Sequence, residues 1–175
     1  AVSQYCEAHY GQTYFGVENF PVKCARICLE YMQNRPRKRA LDLGCAVGRA
    51  AFELAREFDF VSGLDFSARF IRIAFQLREK GVTHYELVEE GEIVSYHEKR
   101  LSDFGLEPFK DKVEFFQADA VNLKPQFSNY DLIFAGNLLD RLYDPRMFLA
   151  TIHERLNLGG VLILTSPYTW LEEFT

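Results

Sequence analysis

No run of the eighteen or so apolar residues that a membrane span requires occurs in the sequence, and no basic, apolar and small-residue leader opens it. A cytoplasmic protein with no membrane partner is the expectation. No C-x-x-C pair is present either: Cys6, Cys24, Cys28 and Cys45 are spaced too irregularly for a zinc site or a disulfide framework, so structural thiols and no metal are expected. The absence of any G-K-S or G-K-T triplet excludes a Walker phosphate loop. No basic block is long enough to neutralise a run of phosphates. The 20 Lys and Arg and 25 Asp and Glu are interspersed and leave a net charge of −5, a poor match to a phosphate backbone, so nucleic acid is not expected as a partner.

What the 175 residues do carry is apolar mass, 48% hydrophobic and 15% aromatic, which suffices for one core and one domain over 1–175. Val22, Ala25, Cys28, Leu29 and Met32 recur at helical spacing between Asn19 and Asn34, with Pro21 in the first turn, and 1–36 reads as a helical cap. Short apolar runs at 40–43, 60–64, 113–117, 130–135 and 161–165 read as buried strands. Helical segments separate them: 49–57, then a helix capped by Ser67 bearing Phe70, Ile71, Ala74, Phe75 and Leu77 and ended by Gly81, and one opened by Asp144-Pro145 bearing Phe148, Leu149, Ile152 and Leu156. Alternation of this kind predicts an α/β, doubly wound, mostly parallel sheet of Rossmann-like type. Residues 81–111 break the rhythm, being too long for an ordinary connection. Within them, 85–88 and 93–96 flank Glu89-Glu90-Gly91-Glu92, an inserted hairpin that serves as a lid, an interface element or packing decoration.

Open parallel sheets bind ligands beyond the carboxyl ends of their strands. There the sequence places Asp42-Leu43-Gly44-Cys45-Ala46-Val47-Gly48-Arg49, then Asp65-Phe66-Ser67, Asp119-Ala120 and Gly136-Asn137. The glycines let the backbone approach a ligand, with N–H groups at a helix start available to a charged amino-acid moiety. Asp65 lies 21 residues beyond Gly44, the separation at which an acid reaches ribose hydroxyls. A dinucleotide fingerprint needs G-x-G-x-x-G, and this loop lacks it. The expected ligand is a nucleoside without a pyrophosphate.

These residues resemble the class I S-adenosylmethionine-dependent methyltransferases, and LDLGCAVGRA departs from that pattern in having Ala46 for the usual middle glycine. The resemblance implies S-adenosylmethionine as cofactor. Asp42 with Gly44, Cys45, Ala46 and Gly48 then surrounds the methionine part, Asp65 the ribose, Asp119 and Ala120 the adenine edge, and Asn137 the sulfonium, with Phe66 a further cofactor-binding candidate. More narrowly, YGQTYFGVENFP, EEGE, NLLDRLYDP and SPYTWLEEFT resemble the carboxyl-terminal methyltransferase domain of ovothiol biosynthesis enzymes. That resemblance implies a small thiol-histidine substrate, methylated on a ring nitrogen of 4-mercaptohistidine, and fusion to an iron-dependent sulfoxide synthase domain in a longer protein. Against the methyltransferase family pattern, the last strands of the sheet are expected to be missing from a fragment, or the sheet edge to be finished differently.

An imidazole nitrogen is already a nucleophile, so orientation rather than a catalytic side chain is expected to carry the reaction. Tyr14, Asn137, Arg141, Ser166, Tyr168 and Trp170 are the candidates for the substrate pocket, with Arg141 available to a carboxylate. Arg49 reads equally as helix surface or cofactor contact, and His9, His84, His97 and His153 as surface or satisfied histidines. Two alternatives stay open: a methyltransferase for another small acceptor such as a quinone or phenol, and a noncatalytic cofactor-binding or docking domain.

Overall fold

The computed structural model describes residues 2–169. In chain order its α-helices are α1 (Val2–Tyr10), α2 (Phe20–Tyr31), α3 (Arg49–Leu54), α4 (Ala68–Lys80) and α5 (Pro145–Thr151). Its strands are β1 (Arg39–Leu43), β2 (Phe60–Asp65), β3 (Val82–Glu90), β4 (Ile93–Arg100), β5 (Val113–Gln117), β6 (Tyr130–Gly136) and β7 (Leu156–Thr165). Five of them form one sheet in the order β5-β2-β1-β6-β7, every pairing parallel, while β3 and β4 make a separate antiparallel hairpin. The architecture is the expected α/β sheet, and the near-continuous apolar strands follow from burial on both faces.

Alternate strand residues serve two cores. Ala40, Val61, Leu132 and Phe134 face α1 to α4 and the hairpin, whereas Leu41, Leu43, Ile133 and Ala135 face Phe148, Ile152, Leu123 and Phe127. The second face is thus covered, among the described residues, by the short α5, 3-10 turns and the 118–129 loop. That asymmetry was not expected from the sequence.

Several boundaries shift for identifiable reasons. Ser67 precedes α4 but makes no side-chain cap; its N–H instead donates to Asp65 Oδ1 at 2.8 Å. Phe75, read as an inward residue, is half exposed, because the buried stripe of α4 runs through Ala74 and Leu77. Helix α5 stops at Thr151, so Ile152 enters a 3-10 turn and Leu156 begins β7 rather than ending a helix. The last strand therefore starts at Leu156, ahead of the run expected at 161–165: Leu156 pairs with Tyr130, the register slips, and pairing resumes at Leu132 with Val161. The hairpin strands extend well beyond 85–88 and 93–96 for the opposite reason, since their cross-strand pairs continue to Val82 and Arg100.

The basic run Arg35-Pro36-Arg37-Lys38-Arg39 is consumed by folding. Arg35 donates to the Gly159 carbonyl, Arg37 pairs with Glu57, and the Arg39 guanidinium lies over Phe60 and Tyr130. The N–H groups of Lys38 and Arg39 both donate to Asp131 Oδ2, and Asn157 Nδ2 donates to its other oxygen. One carboxylate thereby joins the starts of β1, β6 and β7.

Glu7 ties α1 to the hairpin. Its carboxylate accepts from Tyr85 Oη of β3 at 2.5 Å, Tyr14 Oη at 2.7 Å and the Gln12 N–H at 3.2 Å. Burial raises the Glu7 pKa, but these donors outweigh it and the net direction is down. On the same helix Tyr10 is fully buried and donates to the Val47 carbonyl at 2.9 Å, which seats α1 against the loop after β1.

Candidate functional site

Beyond the carboxyl ends of β1, β2, β5 and β6 lies a cavity of about 780 Å³, within the range of small-molecule sites. The strand ends deliver Asp42, Gly44, Cys45, Ala46, Asp65, Phe66, Asp119, Ala120 and Asn137 to its lining. The parallel register explains this: Asp42 pairs with Gly63 and Leu43 with Leu64, so the loop after β1 and Asp65 emerge side by side.

The loop after β1 is built on left-handed backbone, with φ of 79° at Gly44, 48° at Ala46 and 87° at Gly48. Gly44 and Cys45 donate to the Leu64 carbonyl at 2.8 and 3.0 Å, Ala46 to Asp65 Oδ2 at 2.9 Å, and Gly48 to the Cys45 carbonyl at 2.9 Å. The expectation that the loop offers free N–H groups is therefore corrected at these four positions, where donors are spent inside the protein. Gly48 does not reach the lining. A Cβ there would lie 2.6 Å from Phe115 Cζ and 3.2 Å from Ala74 Cβ, so its smallness serves helix–sheet packing.

Three carboxylates remain as the polar features of the strand ends. Asp42 is buried and its Oδ2 has no hydrogen-bond partner. Burial, and then the neighbouring Asp65 carboxylate, push its pKa up to about 7. Asp65 accepts one N–H on each oxygen, from Ser67 and Ala46, and burial still raises its pKa on balance. Asp119 accepts from the Val121 N–H at 2.9 Å and from Tyr143 Oη at 3.2 Å. Phe66 presents a largely exposed ring to the same hollow.

Of the pocket candidates, Asn137 and Arg141 line the cavity. Asn137, at φ 52°, is locked to the end of β7: its N–H donates to the Thr165 carbonyl and its Oδ1 accepts from Thr165 Oγ1 at 3.1 Å. The Arg141 Nε lies 3.7 Å from the buried Asp140 carboxylate. Three candidates lie outside the lining: Tyr14, which donates to Glu7 instead; Ser166, which accepts the Tyr168 N–H; and the exposed Tyr168, the last two on a chain that leaves β7 toward Asp140, which accepts from Thr169. Trp170 lies outside the described residues.

Sequence reasoning missed the wall made by Tyr5, Ala8 and His9 of α1 with Phe20 and Pro21 of α2, as well as Leu138, Leu142 and Tyr143. The aromatic content of 5–21 was the available signal. Arg49 is neither helix surface nor cavity lining. It is buried, paired with Glu53 at 2.9 Å, stacked over Phe104, and donates to the His9 carbonyl at 2.9 Å. The hairpin contributes no described residue to the cavity, so its position is that of a buttress for α1 rather than a lid.

Residues 17–173 match a family model described as a methyltransferase domain. A search of curated proteins finds no significant match. Among solved structures, an S-adenosylmethionine-dependent methyltransferase from Clostridium acetobutylicum is 17% identical with a TM-score of 0.62, covering 92% of this chain and 54% of that one. A glycopeptide N-methyltransferase solved with S-adenosylmethionine is 15% identical, TM-score 0.55, covering 80% and 48%. A [4+2]-cyclase is 21% identical, TM-score 0.60, covering 83% and 44%. The chain spans about half the length of the solved structures it matches.

Two consequences are measurable. Gly48→Ala combines left-handed strain with a collision against Phe115 and should cost at least about 2 kcal/mol, lowering Tm by roughly 4–8 °C; an unchanged Tm in thermal unfolding contradicts the packing role. The folded chain holds a proton on Asp42 up to about pH 7, whereas an unfolded carboxylate releases it near pH 4. Between these values the folded state binds more protons, so Asp42 makes stability fall as pH rises. Asp42→Asn should remove that loss and gain in Tm over wild type from about pH 5 to 8; parallel curves contradict it.

Proposed function

This chain belongs to the methyltransferase-domain family, and on that premise we propose that it binds S-adenosylmethionine and methylates a small molecule, a ring nitrogen of 4-mercaptohistidine. The observation that carries the cofactor half is the charge of the cavity. Asp42, Asp65 and Asp119 line an otherwise largely apolar hollow, Asp42 Oδ2 has no partner, and loop N–H groups that would welcome a phosphate are already used. A pyrophosphate meets repulsion there, whereas a ligand carrying an ammonium, a sulfonium and a ribose diol offers what carboxylates accept.

In this reading Asp42 holds the ammonium, and Asp65 uses its remaining lone pairs for the ribose hydroxyls. Phe66 covers the adenine and Asp119 lies at its edge. When bound, S-adenosylmethionine supplies a methyl group on a sulfonium, open to in-line displacement by a neutral ring nitrogen. The chain contributes alignment and a dry wall through Phe134, Leu138 and Leu142, and near-attack placement of two reactants can supply about 7–11 kcal/mol of a barrier. Among the described residues, no side chain is asked to act as a base.

The acceptor half rests on sequence resemblance, supported by where two of its segments lie. NLLDRLYDP supplies Asn137, Leu138, Arg141, Leu142 and Tyr143 to the cavity, and YGQTYFGVENFP supplies Phe20 and Pro21. Arg141, beside Asp140 in the cavity wall, meets the acceptor carboxylate in this reading. A solved cyclase with the same fold is a reminder that fold alone does not entail methyl transfer.

Incubation of the chain with S-adenosylmethionine and 4-mercaptohistidine, followed by mass spectrometry, should show one methyl added on the imidazole. Transfer to a phenol or quinone instead contradicts the acceptor and keeps the activity. Binding without transfer to any of them favours a noncatalytic domain.

A further inference from the structure

The cofactor reading leaves one half of an amino-acid group without a partner. Asp42 answers the ammonium, but the adjacent carboxylate needs N–H donors, and those of Gly44, Cys45, Ala46 and Gly48 are turned inward. Side chains lining the cavity are a further source of donors. Tyr143 Oη already donates to Asp119, Asn137 is held to the end of β7 through its N–H and Oδ1, and Arg141, beside Asp140, is given to the acceptor in the reading above.

His9 is placed for the task. It stands in the last turn of α1, lines the cavity, and its Nδ1 is sealed from solvent without a hydrogen-bond partner. Its backbone is fastened to the segment that follows β1 from two sides. The Arg49 guanidinium donates to the His9 carbonyl at 2.9 Å, and the adjacent Tyr10 donates to the Val47 carbonyl at 2.9 Å. The imidazole consequently has little freedom to move away from the loop. Burial first, and then the Arg49 charge, lower its pKa to about 4, so the ring is neutral and carries one N–H. No protein acceptor fixes which nitrogen bears that proton. A ligand anion can fix it by accepting from Nε2, the ring nitrogen that is not sealed off, and the guanidinium beside the ring favours negative charge there even though Glu53 offsets part of it.

We infer that His9 is the recognition residue for the carboxylate of the cofactor's amino-acid part, pairing across the methionine end with Asp42 on the ammonium. The inference rests on the cofactor reading above and extends it to an element outside the glycine loop. It also gives α1, and the Glu7–Tyr85 tie that holds it, a positioning role in cofactor selection.

Calorimetric titration with two probes tests this. S-adenosylmethionine and its decarboxylated analogue differ only in the group assigned to His9. Wild type should prefer the intact cofactor by about tenfold or more, the effect of a hydrogen bond to a charged group. His9→Phe should lose that preference, binding the intact cofactor at least about tenfold more weakly and the decarboxylated analogue as wild type does. His9→Gln, which keeps an N–H, should recover part of the difference. Equal wild-type affinities for the two probes overturn the assignment even if no variant folds, as does an intact preference in His9→Phe. Failure of wild type to bind either probe overturns the cofactor reading and the His9 assignment together.

Discussion

The carboxylate of Asp65 is the tie on which the rest of the site depends. One oxygen accepts the Ala46 N–H and the other the Ser67 N–H, so a single side chain at the end of β2 fixes both the loop after β1 and the start of α4. The parallel β1–β2 register brings these segments together, and the Leu64 carbonyl, accepting from Gly44 and Cys45, completes the join. A loop held this way has its donors directed into the protein. What it offers the cavity is a close backbone and, beside it, the buried Asp42. The electrostatic character of the site follows: acidic, partly desolvated, and suited to a cationic ligand rather than a phosphate.

Much of this was legible in the sequence because it depends on local pattern. Short apolar runs ending in Asp or Gly became β1, β2, β5 and β6, and the residues just after them met at one edge of the sheet. The C-terminal stop of α4 at Gly81 and the N-cap Asp144 are likewise local, the first needing φ of 68° and the second accepting the Met147 N–H. Periodicity failed where tertiary pairing overrode it. The run from Phe148 to Leu156 has helical spacing, yet the pairing of Leu156 with Tyr130 claims its end for β7.

The other features hidden from the sequence are long-range. Nothing local in RAAFELARE tells whether Arg49 faces water, because its partners Phe104 and the His9 carbonyl come from distant segments. The same holds for His9, whose surroundings exist only once α1 is seated by Tyr10 and Glu7. Spacing alone likewise gave no reason to place Tyr143 against Asp119. The candidate site thus has two origins: strand ends that a pattern can locate, and an α1–α2 wall that only packing assembles.

Calorimetric titration of the chain with S-adenosylmethionine near pH 7, repeated in buffers of different ionisation enthalpy, tests the central claim most directly. If Asp42 receives the ligand's ammonium, binding lowers the carboxyl pKa from about 7 and a fraction of a proton passes to the buffer. Wild type should show that release and Asp42→Asn should bind more weakly without it. Absence of binding, or the same proton release in both proteins, would contradict the account.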